Sequence, residues 1–229
     1  MFQQNISSTI GSLPEIDTER RAVDSVIAFL DNHLPNFPNV FKELTSARKI
    51  ESEDLISQEL CVYLERLTRP NGIFMFQFQR KYLDSSRSSD IGVIEVENYT
   101  STQPSKAFFV IEAKRLPTPG TGREKEYVEG NYGGIERYKR GDHGKGLSDS
   151  AVIGYVQKYD CNHWFSQITS WINDLIINNK ASDILWDVSD LLILKSNLTT
   201  TQKYLSKNTR IVDSVSDSIN LHHYLMNLI

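Results

Sequence analysis

The sequence predicts an α/β fold, with a mixed central β-sheet flanked by helices. Three observations lead there. Two stretches before residue 70 carry apolar residues at helical spacing, and seven short runs rich in aromatic or β-branched residues follow, bounded by turn residues. One long helical pattern separates the middle strands from the closing ones. At 229 residues the chain is long enough to bury one sizeable core without disulfides or structural metal, so one domain is expected over 14–229.

Residues 1–13 are polar and Ser-rich and read as a loose terminus. From Thr18, TERRAVDSVIAFLDNHL reads as a first helix, broken at Pro35 and Pro38. After a short connection, SEDLISQELCVYLERL reads as a second, with Ser52 as N-cap and acids in its first turn. Its apolar stripe is Ile56, Leu60, Tyr63, Leu64 and Leu67. At 100° per residue Glu53 falls within that stripe and Glu59 at its edge.

Pro70, Asn71 and Gly72 form a turn before a strand over 73–83, and DIGVIEVE forms the next over 90–97. A polar link leads to AFFVIEAK, 107–114, which the prolines at 117 and 119 terminate. Because that link is short and helix-free, the two strands are expected to pair as an antiparallel hairpin. REKEYVEGNYGGIERYKRG has helical character interrupted by glycines. A buried strand over 150–159, a helix over 161–179 and strands near 190–194, 202–206 and 219–228 complete the sheet.

Composition bounds the function. With 39% hydrophobic and 24% charged residues the chain has ordinary globular character, and its longest apolar runs fall far short of the roughly 20 residues of a membrane span. No basic, apolar leader opens it, so a cytoplasmic location is expected. Cys61 and Cys161 are too few for a disulfide framework. A net charge of −4 argues against non-specific coating of nucleic acid, although Lys114–Lys145 holds eight basic residues against five acids. That segment reads equally as a phosphate-tracking surface or as a solvated mixed-charge face.

The run Phe108–Lys114 places chemistry on a buried strand. Strand side chains alternate, so Glu112 and Lys114 share one face while Ile111 and Ala113 take the other. Antiparallel pairing brings Asp90, at the start of its strand, beside them. Two carboxylates next to a lysine suit Mg²⁺, with Mn²⁺ as a substitute: Asp90 and Glu112 as ligands, the Ala113 carbonyl as a further oxygen. Lys114 would orient the attacking water, and partial burial would lower its pKa toward proton transfer. Removing either carboxylate is expected to leave stability unchanged or raised, by relieving repulsion.

SSDIGVIEVE followed by FFVIEAKR resembles the PD-(D/E)XK nuclease superfamily, the restriction endonuclease-like fold. Asp90 matches its acid and Glu112, Ala113 and Lys114 its E-x-K, while Ser89 stands in place of the motif's proline. EDLISQEL resembles the acid-bearing helix that precedes the motif in several such nucleases, with Glu53 in the acid position and Glu59 as its rival. The resemblance covers residues 50–115, the remainder fitting by order of elements. It implies a metal-dependent endonuclease acting on nucleic acid, DNA ahead of RNA, in restriction, repair or anti-phage defence. Its alternative is a non-catalytic nucleic-acid-binding or assembly subunit. A homodimer or partner subunit is expected, since one compact domain has limited surface for both wrapping and cutting a duplex.

Each residue also has an ordinary reading. Asp90 can cap a strand, Glu112 and Lys114 can form a same-face salt bridge, and Glu53 can favour the helix dipole. Arg115, Arg137, Lys139, Arg140 and Lys145 are the candidate nucleic-acid contacts. Tyr127, Tyr132 and Tyr138 read either as base-stacking or as packing residues. The glycines of EGNYGGIERYKRGDHGKG lack the spacing of a phosphate-binding loop. His143, His163, His222 and His223 lack metal-ligand spacing and read as packing or surface groups, with His222 and His223 on opposite strand faces.

Overall fold

The computed structural model describes residues 18–70, 72–81, 88–96, 106–178, 184–212 and 215–229. The expected loose segment 1–13, the end of the strand expected over 73–83 and residues 98–105 of the polar link lie outside the described residues. Three helices lead, α1 (Thr18–His33), α2 (Phe37–Ala47) and α3 (Glu53–Thr68), followed by β1 (Phe74–Lys81), β2 (Ser88–Glu95) and β3 (Phe109–Leu116). Then come α4 (Gly134–Lys139), β4 (Asp149–Val156), α5 (Cys161–Asn178), β5 (Ile193–Asn197), β6 (Thr201–Val212) and β7 (Val215–Asn227).

The prolines do not break the first helix into a loop. Pro35 is the second residue of a 3₁₀ turn over Leu34–Asn36 and Pro38 sits in the first turn of α2. Proline is tolerated there because the first N–H groups of a helix have no partner within it. Buried Phe37 and Phe41 then anchor α2 to the core.

The strands form one sheet in the order β1-β2-β3-β4-β7-β6-β5. The expected hairpin is present: β2 and β3 pair antiparallel through Ile91–Ile111, Gly92–Val110 and Val93–Phe109. β3, β4 and β7 run parallel in the centre, and antiparallel strands flank them on both sides. Central parallel strands are covered on both faces, which explains the wholly buried run of β4. One face, with Ile111, Ala113 and Ile153, packs on α1, α2 and α3; the other, with Val110, Val152 and Leu221, packs on Tyr127, Tyr138 and the tryptophans of α5.

Boundaries differ from the sequence reading in several places: β2 and β3 are displaced by two residues, β4 ends at Val156, and the strand expected near 190–194 runs over Ile193–Asn197. Residues 123–133 form turns and the helix starts only at Gly134. Asp190 closes a 3₁₀ turn over Val188–Asp190, where its carboxylate accepts from the Asp187 N–H at 2.8 Å. β6 and β7 make a hairpin longer than the runs expected at 202–206 and 219–228. Among the described residues no helix is long and apolar enough to cross a membrane.

Candidate functional site

The site begins where two strands part. Beyond the Ile91–Ile111 pair, β2 stays with β1 through Ser89 and Ser88, while β3 continues beside β4 as far as Leu116. This fork leaves backbone N–H groups of β3 facing a missing neighbour. Asp90 Oδ2 accepts from Ala113 N at 2.7 Å, and Glu53 Oε2 accepts from Arg115 N at 2.9 Å. The next position on that edge is Pro117, which has no N–H to satisfy. On the opposite edge the Leu116 carbonyl accepts from Gln157 N at 2.8 Å. Two acids therefore replace the missing strand as acceptors, meeting the requirement that buried donors be paired.

Glu53 reaches the fork from α3. Ser52 caps that helix, its hydroxyl accepting from Leu55 N, and the stripe Ile56, Leu60 and Leu64 is buried against the sheet. The first turn is thus held over the end of β3. Glu59 lies elsewhere, ion-paired with Arg48. Of the two candidate helix acids, Glu53 is the one beside Asp90, Glu112 and Lys114.

Glu112 and Lys114 lie on the face opposite to Ala113 and are buried, at 0% and 5% exposure. Lys114 Nζ is 2.9 Å from Glu112 Oε1 and 3.4 Å from Glu53 Oε1. Arg137 Nη1 contacts the same Glu112 oxygen at 2.7 Å, and His143 Nδ1 stands 3.6 Å from Oε2. That second oxygen is buried and accepts no hydrogen bond among the described residues. Arg137 is carried there by α4, whose first turn is pinned by Gly134 N to Glu126 O and Ile135 N to Tyr127 O. The seat demands glycine: a Cβ at Gly134 would come 2.9 Å from the Tyr127 carbonyl oxygen.

Electrostatics separate the three acids. Burial pushes Asp90 well above the usual carboxylate range, since its carboxyl is hemmed in although the residue keeps partial exposure; nearby Glu112 adds to the rise, against opposition from Lys114 and the Ala113 N–H. Burial likewise raises Glu53. For Glu112 burial pulls the same way, but chiefly Lys114, with Arg137, holds it below the ordinary value. Burial would lower Lys114, yet Glu112, Glu53 and Asp90 outweigh it and raise the pKa. This overturns the expected lowering of the lysine, which is held as a firm ammonium. His143, lowered to about 4 chiefly by burial, is a neutral imidazole.

The basic residues of 114–145 do not form one phosphate-facing surface. Lys139 is buried, 2.6 Å from Asp190 and 4.8 Å from the Trp186 ring centroid, so its charge is spent inside the fold and it drops out of the nucleic-acid set. Arg137 turns inward to Glu112, and Arg140 is held by Glu136 and Asp142. Arg115 donates from Nε to Gln157 at 2.5 Å, and Lys145 is exposed on the loop before β4. Tyr127 and Tyr138 are core residues, whereas Tyr132 is 68% exposed over a groove of about 840 Å³ shared with Arg123, Asn131 and Trp171.

Sequence reasoning missed the contacts of Arg137 and His143 with Glu112. Nothing in their spacing marks them, because α4 and its following loop reach β3 only through tertiary contacts. Among the described residues no three His, Cys, Asp or Glu side chains stand close enough to form a metal cage by themselves. Comparison with protein-family models, curated proteins and solved structures gives no match to this chain.

Proposed function

We propose that the chain is a metal-dependent endonuclease of PD-(D/E)XK type with a restriction endonuclease-like fold. It hydrolyses phosphodiester bonds, in DNA ahead of RNA, within cytoplasmic restriction or anti-phage defence. One observation carries the reading: acids from three separate elements, Glu53, Asp90 and Glu112, gather around Lys114 at a strand fork.

The donor set fits a divalent cation. Glu112 offers a buried oxygen that accepts no hydrogen bond among the described residues, and Asp90 stands beside it across the fork. Backbone geometry contributes as well. A strand residue directs its N–H and C=O to the same side, so the Ala113 carbonyl shares the forked edge with Asp90. Asp90, Glu112 and the Ala113 carbonyl would hold the ion, which supplies charge stabilisation at the phosphate and a more acidic bound water. Lys114, a firm ammonium, donates to the attacking water or a phosphate oxygen and does not serve as the base. Glu53 fixes the backbone at Arg115 and orients Lys114.

The test incubates the chain with linear and circular duplex, single-stranded DNA and RNA, in Mg²⁺, Mn²⁺ or EDTA. Wild type should cut only with metal. Lys114→Arg should lose on the order of 100-fold in single-turnover cleavage while still binding metal, because a broad guanidinium cannot occupy the ammonium's place. Near-normal cutting by that variant would reduce Glu112 and Lys114 to a strand salt bridge.

The second reading is a non-catalytic nucleic-acid-binding or assembly subunit. It draws support from Glu112 Oε1, which already holds two cations. Binding of nucleic acid without cleavage under every metal condition would favour it.

A further inference from the structure

One carboxylate oxygen in this fold is claimed twice over. Glu112 Oε1 receives both Lys114 Nζ, at 2.9 Å, and Arg137 Nη1, at 2.7 Å, two cations on one carboxylate oxygen. The two cations are not equivalent. Lys114 is on the same strand, is almost wholly buried and has Glu53 as a second partner, whereas the Arg137 side chain is 17% exposed at the solvent border. Arg137 is thus the cation that can leave.

The backbone around it supports movement of the side chain alone. α4 is tied to the preceding turns by bonds from Gly134, Ile135 and Glu136, and the Arg137 carbonyl accepts from Asp142 N at 2.8 Å. Its main chain is fixed at both ends. Departure from Glu112 needs only rotamer changes of a long side chain, which occur quickly at a solvent border.

We propose that Arg137 is a placeholder cation: it holds Glu112 through Oε1 when no metal is present, is driven off by the charge of a divalent ion arriving at the open Oε2 beside it, and then meets a phosphate oxygen of the substrate. The inference rests on the nuclease reading and assigns Arg137 a role in it. A guanidinium suits both duties, since its planar fork pairs with carboxylate and phosphate alike. Metal and substrate binding are thereby coupled, for the ion that enters frees the group that grips the strand.

The proposal requires opposite signs in two measurements. Arg137→Gln should bind Mn²⁺ about 10- to 100-fold more tightly than wild type in calorimetry on the full chain, the equivalent of one lost charge-assisted hydrogen bond. In saturating Mn²⁺ the same variant should cleave at least tenfold more slowly. A purely structural arginine would give the opposite result in calorimetry, loosening the site and weakening metal binding. Arg137→Lys, which keeps a charge but not the fork, should fall between and serves if the glutamine variant folds poorly. Equal or weaker Mn²⁺ binding by the variants, with wild type binding normally, overturns the placeholder and leaves the nuclease reading intact. Binding by the variant but not by wild type supports it, and binding by neither overturns both.

Discussion

Glu112→Gln keeps the side chain's shape and removes its charge, and the structure gives the consequence a sign and a size. The carboxylate is wholly buried between Lys114 at 2.9 Å and Arg137 at 2.7 Å. Breaking a buried ion pair by neutralising one partner costs about 3–5 kcal/mol, because the other charge stays buried. Two features place this case at the low end. Lys114 retains Glu53 at 3.4 Å, and Arg137 can turn to solvent. A loss of about 3 kcal/mol in a chain of this length lowers Tm by roughly 6–12 °C. The assay is thermal unfolding in EDTA, repeated with Lys114→Met/Glu112→Gln, which should recover part of the loss as the stranded ammonium disappears. A Tm for Glu112→Gln within about 2 °C of wild type, or above it, would refute the reasoning. This reverses the expectation that either acid can be removed freely: burial, with repulsion from Glu112 added to it, disfavours the charge of Asp90, whereas at Glu112 attraction outweighs burial.

Asp90→Asn should therefore move Tm the other way in EDTA, upward by a few degrees, since its amide oxygen can still accept from Ala113 N; the stabilisation that Mn²⁺ confers on wild type should vanish. A drop in Tm without metal would contradict the raised Asp90 pKa. Glu53→Gln should slow cleavage several-fold by loosening Lys114, while Glu59→Gln, which disturbs only the pair with Arg48, should leave rates nearly unchanged; the reverse ranking would exclude Glu53 from the site. His223, lowered to about 3 by burial, holds Tyr127 at 3.0 Å and Ser206 at 2.8 Å as a neutral ring. The unfolded chain takes up a proton there first, so stability should fall as pH drops from about 6.5 toward about 3. His223→Gln should flatten that decline in denaturant titrations across the range, and an unchanged slope would assign the acid sensitivity to other groups.

The convergence at the fork was legible because it follows from short-range rules. Two-residue alternation puts Glu112 and Lys114 on one face, antiparallel pairing brings up Asp90, and helical spacing turns Glu53 inward. What was hidden depends on distant partners. Lys139 looks like a surface cation until Asp190, 51 residues later, is folded against it. Arg137 and His143 reach Glu112 through a loop whose path is set by backbone bonds among residues 123–143. The helix α2 was obscured for a local reason, since its prolines signal a break as readily as a beginning.

The fork also makes two backbone amides into reporters. Ala113 N–H and Arg115 N–H are guarded by side-chain carboxylates instead of by a neighbouring strand, so their protection depends on what those carboxylates are doing. An amide within a ladder exchanges its hydrogen only when strands separate; these two can exchange when a single rotamer turns. Any ligand that draws Asp90 or Glu53 away would quicken exchange at one named position, while one that stiffens the acids in place would slow it. The timing of hydrogen at residues 113 and 115 thus reads each acid separately, in a silent, unlabelled protein, with no substrate turned over.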